Sequence, residues 1–231
     1  EESGDFAGLT VLPYYVVYRA LVRAKIHLIR AQQAEAVPTG KPRLMAAFLA
    51  YLDLASQFAR PHRGGIVAMH GLSGSGKSTA AVALATRLGA IRIRTDIERK
   101  RLHGLKPLAP TASALARGAY DAKVTRQVYA HIAGLASRAA HAGFRVVLDG
   151  AFLKRWQRNV ADAAARDATV PFVIVAMEAP VEKLRERINR RLASHTDASE
   201  ATEAVLDHQI ASYDPLEHDE LAWTLRMTAC D

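Results

Sequence analysis

The sequence holds one cysteine, Cys230, the penultimate residue. That excludes a disulfide within the chain and fits a reducing compartment, so a cytoplasmic location is expected. No apolar run reaches membrane-spanning length, so no membrane partner is expected. The first acidic residues, Glu1, Glu2 and Asp5, stand where a secretory leader would be basic, and there is no initiator methionine. The chain therefore reads as a piece of something longer. Nine histidines are scattered without the spacing of metal ligands. Internal repeats and low-complexity tracts are lacking.

Half of the residues are hydrophobic, enough for a sizeable core. The formal net charge is +8. Such an excess invites a nucleic-acid partner, but its distribution weakens that reading. Much of it falls in Arg99-Lys100-Arg101 and in the run from Lys183 to Arg191. Short local runs of this kind serve a single anionic ligand as well as they serve a nucleic acid. A nucleic-acid partner is allowed but not favoured.

The stretch that carries most chemistry is Gly71-Leu72-Ser73-Gly74-Ser75-Gly76-Lys77-Ser78-Thr79. It has the phosphate-loop spacing G-x-x-x-x-G-K-[ST]. Glycines let the backbone curl so that successive N–H groups point at phosphate oxygens. Lys77 adds a cation for the β- and γ-phosphates, and the Ser78 hydroxyl suits Mg2+. The apolar run Ile66-Val67-Ala68-Met69 before it predicts a buried parallel strand. The alanine-rich run Thr79–Leu88, closed by Gly89, predicts a helix whose positive end faces the anion.

In the first 60 residues, Tyr14 to Ala34 and Arg43 to Ala59 have helical periodicity, separated by a Pro- and Gly-containing linker. The stripe Tyr15, Tyr18, Leu21, Val22 is expected to be buried. From residue 65 onward, strands and helices alternate. Strands are expected at Ala90–Thr95, Arg145–Leu148, Pro171–Met177 and Ala222–Met227. Helices are expected at Ile97–Leu102, Ala116–Ala142, Leu153–Ala168 and Val181–Ala193, with another, capped by Asp197 or Ser199, running to Tyr213. That alternation predicts an α/β fold with a parallel sheet covered on both faces. The domain boundary is placed at Arg60/Pro61.

Three constellations join the loop. Asp96 and Arg99 sit where the second strand meets a helix, at the ligand-binding edge of a parallel sheet. Asp96 is either a helix cap or a base that takes a proton from a substrate hydroxyl, with Arg99 holding the substrate. Asp149 ends the third strand, either in a tight Asp-Gly turn or as a carboxylate holding Mg2+ through water. The run Leu184–Arg191 puts Arg187 and Arg191 on one helix face. They form either a solvated basic surface or a clamp on a transferring phosphoryl group, and Arg190 can replace either. Lys154, Arg155 and Arg158 follow Asp149 and are candidates for acceptor binding. His70, Tyr120 and Tyr129 read as packing residues.

Together these residues resemble the P-loop small-molecule and polynucleotide kinases. That group includes the 5′-hydroxyl polynucleotide kinases, the zeta toxins and bacterial predicted kinases often labelled AAA-family ATPases. The resemblance covers roughly residues 65–231. It rests on the Gly71–Thr79 loop, Asp96-x-x-Arg99, Leu148-Asp149 and Arg187-x-x-x-Arg191. It implies a three-layer P-loop fold with sheet order 2-3-1-4-5 and transfer of the γ-phosphoryl of ATP to a hydroxyl. Asp96 would be the base, Asp149 would help to hold Mg2+, and Arg187 and Arg191 would close over the phosphates. Asp5–Leu9 and Tyr18–Lys25 resemble the end of an aminoglycoside-phosphotransferase-like domain, whose own catalytic parts are missing here. The acceptor is unspecified. A 5′-hydroxyl polynucleotide kinase and a nucleotide-binding regulatory module with weak ATPase activity are the rival readings.

Overall fold

The computed structural model describes residues 4–33, 40–59, 64–106, 122–194 and 202–228, the side chains of 191–194 excepted. The chain divides into two compact units, Asp5–His62 and a larger one over Arg63–Asp231.

The smaller unit is a helical pair, α1 (Leu12–Gln33) and α2 (Lys41–Ala59), entered through a 3-10 turn at Ala7–Thr10. Small residues make the contact. Ala20, Ala24 and Ala31 of α1 and Ala55 of α2 are buried, and the His27 ring stacks on Tyr51 at 5.5 Å. The expectation that Tyr15, Tyr18, Leu21 and Val22 form the buried face is corrected. Tyr15, Tyr18 and Leu21 are exposed and Val22 is half-buried. Alanines let two helix backbones approach closely, and a neighbouring tyrosine stripe would hold them apart.

In the larger unit, strands β1 (Gly65–His70), β2 (Ile91–Arg94), β3 (Arg145–Asp149), β4 (Phe172–Glu178) and β5 (Thr224–Thr228) form one parallel sheet. The order is β2-β3-β1-β4-β5, as expected. Parallel neighbours require crossovers, which place helices on the faces. Alternation along the strands sorts their side chains. Met69, Val147, Val175 and Met177 pack with Ala81 of α3 (Lys77–Leu88) on one face. The other face is covered by α5 (Ala122–His141) and α6 (Arg155–Asp167), following the short α4 (Thr95–Leu102). Ile132, Ala136 and Ala139 of α5 are buried there. Helices α7 (Val181–Ser194) and α8 (Glu203–Ser212) then pack through Leu184, Ile188 and Leu206. Thr202 caps α8, its hydroxyl accepting from the Val205 N–H. The expected caps Asp197 and Ser199, like Tyr120 and Cys230, lie outside the described residues.

A short helix, α9 (His218–Leu221), was absent from the sequence reading and anchors the end of the unit. Its Glu220 accepts from Arg158 Nε at 2.6 Å and Nη2 at 2.8 Å, and both residues are buried. The same guanidinium donates to the carbonyls of Leu153 and Asp214, both at 3.1 Å. Such a pair tolerates burial because nearly every proton it carries has an acceptor. Among the described residues, no helix is long and apolar enough to cross a membrane.

His70 closes β1 beneath the phosphate loop. It is buried, and its Nδ1 donates to the Phe152 carbonyl at 3.0 Å. Burial holds the imidazole below its ordinary pKa of 6.5. The unfolded chain therefore takes up a proton at this residue before the folded one does. The His70 contribution is intact above pH 6.5 and is lost as the pH falls below it toward the lowered folded value. The thermal midpoint should decline along that limb, and His70→Gln should flatten the decline. An equal slope in both proteins would remove His70 as its source.

Candidate nucleotide and acceptor site

The loop after β1 runs along the carboxyl edge of the sheet. Gly74 has φ +84°, and a Cβ there would lie 2.6 Å from the Leu184 carbonyl oxygen. Gly71 has φ +140°, and its Cβ would lie 2.5 Å from the Met177 carbonyl oxygen. Both positions therefore require glycine, by conformation and by space. The loop feeds directly into α3, whose first residue is Lys77. Lys77 Nζ donates to the Leu72 carbonyl at 2.6 Å, across the loop. The Ser73 N–H donates to Gln209 Oε1 of α8 at 2.9 Å. Ser75 is buried, and its Oγ has no hydrogen-bond partner among the described residues. A glycine-lined curl that opens directly into a helix start fits an anionic phosphate chain.

Asp149 is held on both of its oxygens. Ser78 Oγ donates to its Oδ1 at 3.2 Å, which ties the end of β3 to the start of α3. Arg92 of β2 donates to Oδ2 from Nε at 3.0 Å and also from Nη2. Arg94 Nε stands 3.9 Å from the same oxygen. The carboxylate is 4% exposed. A hydroxyl and a carboxylate in contact beside the phosphate loop fit Mg2+, a hard cation that takes oxygen ligands and keeps several waters. Among the described residues no cluster of three or more His, Cys, Asp or Glu could hold a metal without phosphate oxygens. The Asp149-Gly150 hairpin alternative is excluded, since β3 pairs in parallel with both neighbours.

These groups open on a cleft of ≈ 1430 Å³. Ser73, Gly74, Gly76, Lys77, Ser78 and Thr79 line it, while Gly71 and Ser75 lie behind that surface. Asp96 and Arg99 line the same cleft from α4. The helix starts at Thr95 with Arg94 in the cap position and no side-chain cap bond. Asp96 therefore sits inside the first turn and is not the cap residue itself. Arg99 Nη1 approaches Thr125 Oγ1 at 3.5 Å.

From α7, Arg187 lines the cleft. So does Arg190, which helical spacing sets off from the Arg187–Arg191 face. The side chain of Arg191 lies outside the described residues. Arg185 faces elsewhere, bonded to Glu203 and Asp207 of α8.

Two acceptor candidates are corrected. The Arg155 guanidinium binds Asp219 at 2.9 Å and Glu217 at 2.9 Å, and it is not among the cleft-lining residues. Arg158 is buried in its pair with Glu220. Both are consumed by acidic residues some 60 positions later in the chain. Lys154 does reach the cleft, while bonding Asp214 at 3.1 Å.

Other cleft residues escaped the sequence reading. Thr125 and Arg126 of α5 and Trp156 of α6 complete the wall beside Asp96. The Arg126 guanidinium lies 5.0 Å from the Trp156 ring centroid, and Tyr129 meets that ring edge-on at 5.4 Å. Tyr129 is buried, which pushes its hydroxyl up to about 12, so it stays protonated. The signal available was the i, i+1, i+4 spacing of Thr125, Arg126 and Tyr129 on one helix face. It shows a shared face but not what that face meets.

A family model described as "AAA domain", AAA_33, matches residues 66–216. The uncharacterized protein Rv2004c of Mycobacterium tuberculosis is 30% identical over 212 residues, 92% of this chain. The uncharacterized protein Mb2027c of Mycobacterium bovis matches to the same extent. The chain spans 41% of the length of these relatives. Among solved structures, Kti12 of Chaetomium thermophilum in complex with ADP-AlF3 is similar. Its TM-score is 0.54 at 20% identity, covering 71% of this chain and 88% of that one. A sugar kinase from Janibacter sp. HTCC2649 is similar with a TM-score of 0.50 at 20% identity, covering 72% and 85%. These likenesses concern the fold.

The Arg92–Asp149 pair yields a stability prediction. Arg92→Met leaves a buried carboxylate without its principal counter-charge and should cost roughly 3 kcal/mol, by the usual scale for breaking one side of a buried pair. Arg92→Lys should cost clearly less. Urea unfolding reads both, and unchanged midpoints would show that Ser78 and Arg94 suffice to hold Asp149.

Proposed function

The chain belongs to the AAA-domain family AAA_33, and on that premise we propose that it is an ATP-dependent kinase acting on a hydroxyl of a small molecule. The observation that carries this reading is the shared cleft. Asp96 and Arg99 line the same space as the Ser73–Thr79 loop. A module that only binds nucleotide needs the loop, but it has no use for a carboxylate facing it.

In this reading the loop N–H groups and Lys77 hold the β- and γ-phosphates of ATP. Ser78 and Asp149 would hold Mg2+, which would supply positive charge against the phosphate oxygens. Asp96 accepts the proton of the acceptor hydroxyl as that oxygen bonds to the γ-phosphorus. The bond to the β,γ-bridging oxygen breaks, and ADP leaves with the electron pair. Arg187, with Arg190 or Arg191, stabilises charge on the transferring group. Arg99 positions the acceptor.

The helical pair α1–α2 is proposed to be the end of an aminoglycoside-phosphotransferase-like domain. Its support is the resemblance of Asp5–Leu9 and Tyr18–Lys25, together with relatives more than twice as long as this chain.

Asp96→Asn tests the reading, because it keeps the size of the side chain and removes the base. It should fold and bind ATP like the wild type, yet transfer phosphoryl to an identified acceptor about a hundredfold more slowly or worse. Lys77→Ala should by contrast lose nucleotide affinity itself. Full transfer by Asp96→Asn would return Asp96 to a structural role at the start of α4. Transfer to a 5′-hydroxyl oligonucleotide in preference to any small molecule would favour the polynucleotide-kinase reading.

A further inference from the structure

The wall of the cleft formed by α4, α5 and α6 has a definite charge and shape. Among the described residues, the side chains of these three helices that line the cleft and carry charge are Asp96, Arg99 and Arg126, and Lys154 lines it directly before α6. Cations thus outnumber the single carboxylate among the described residues of this wall. Trp156, half-buried and backed edge-on by Tyr129, supplies an apolar plate in the same wall. Arg126 is exposed and lies over that plate. A cation–π contact at an exposed position is weak beside a charge-assisted bond from a guanidinium to an oxyanion. The guanidinium can therefore leave the ring for an anion without a large loss.

We propose, building on the kinase reading above, that the acceptor is a hydroxyl compound carrying an anionic group, a carboxylate or a phosphate, bound by Arg99 and Arg126 with its carbon skeleton against Trp156. The hydroxyl to be phosphorylated faces Asp96, and the anion lies toward α5. A neutral polyol offers the two guanidiniums no charge to bind, so it gains less from them than an anion does. A polycationic acceptor such as an aminoglycoside meets two guanidiniums and a single carboxylate, which that carboxylate cannot offset. Two fork-shaped donors suit a planar carboxylate or a phosphate. The chemistry is shared by sugar acids, sugar phosphates and 3′-phosphorylated nucleosides, so the test keeps these apart.

The experiment measures transfer from γ-labelled ATP to matched pairs. These are D-gluconate and D-glucitol, glucose 6-phosphate and glucose, and 3′-phosphothymidine and thymidine, with kanamycin as the cationic compound. Calorimetric titration of the same compounds into the protein saturated with Mg2+ and AMP-PNP runs in parallel. In at least one pair the anionic member should be used with a kcat/KM about tenfold or more above its neutral partner. For that acceptor Arg126→Met should raise KM by about 10- to 100-fold and change kcat far less, since the anion is held equally in ground and transition states. Preference for a neutral or cationic acceptor overturns the inference and leaves the kinase reading standing. So does an Arg126→Met effect that is equal on both members of a pair. Binding of the anionic compounds without transfer to any acceptor upholds the anion subsite and overturns the kinase reading. Neither binding nor transfer with any anionic compound overturns the inference.

Discussion

One buried carboxylate organises the larger unit. Asp149 takes a hydrogen bond from Ser78 on one oxygen and the Arg92 guanidinium on the other. Those three residues come from the start of α3, from β2 and from the end of β3. A carboxylate out of water needs partners on both oxygens, and this one has them. Its geometry in turn fixes where the phosphate loop ends relative to the strand that delivers Asp96. The loop's glycines meet a matching constraint. Gly71 and Gly74 pass so close to the Met177 and Leu184 carbonyls that any side chain would push the loop off the sheet edge. The phosphate loop and the end of β3 are thus held together by short-range contacts.

Around that frame, opposite charges were sorted into two kinds of task. The Arg158–Glu220 pair and the Arg155 contacts to Asp219 and Glu217 tie α6 to the last turn before β5. Arg185 ties α7 to α8 in the same way. Other cations, among them Lys77, Arg99, Arg187 and Arg190, line the cleft beside the phosphate loop. Part of the chain's positive charge is therefore gathered on the cleft beside the phosphate loop.

Local signals were legible in the sequence, and distant pairings were not. The phosphate loop, its strand and its helix depend on residues within about one turn of each other, so spacing alone revealed them. The sheet order followed from family resemblance and is the observed one. Arg155 and Arg158 were misjudged because their acidic partners lie some 60 residues away, and no periodicity connects them. Arg92 was missed for the same reason, because only the register Arg94↔Asp149 brings β2 beside that carboxylate. The tyrosine stripe of α1 was misread because periodicity marks an apolar face, but not which of two adjacent faces the partner helix covers. Trp156 escaped because a lone aromatic carries no pattern.

The central claim is that the cleft transfers a phosphoryl group and does not merely bind nucleotide. Phosphorus NMR of the wild-type protein with Mg2+, ATP and a pooled set of hydroxyl compounds tests it most directly, since it follows the fate of the γ-phosphorus itself. The account predicts that a phosphate monoester signal grows in as the ATP signals give way to those of ADP. ATP that stays intact, or that yields only inorganic phosphate whatever acceptors are present, would contradict it.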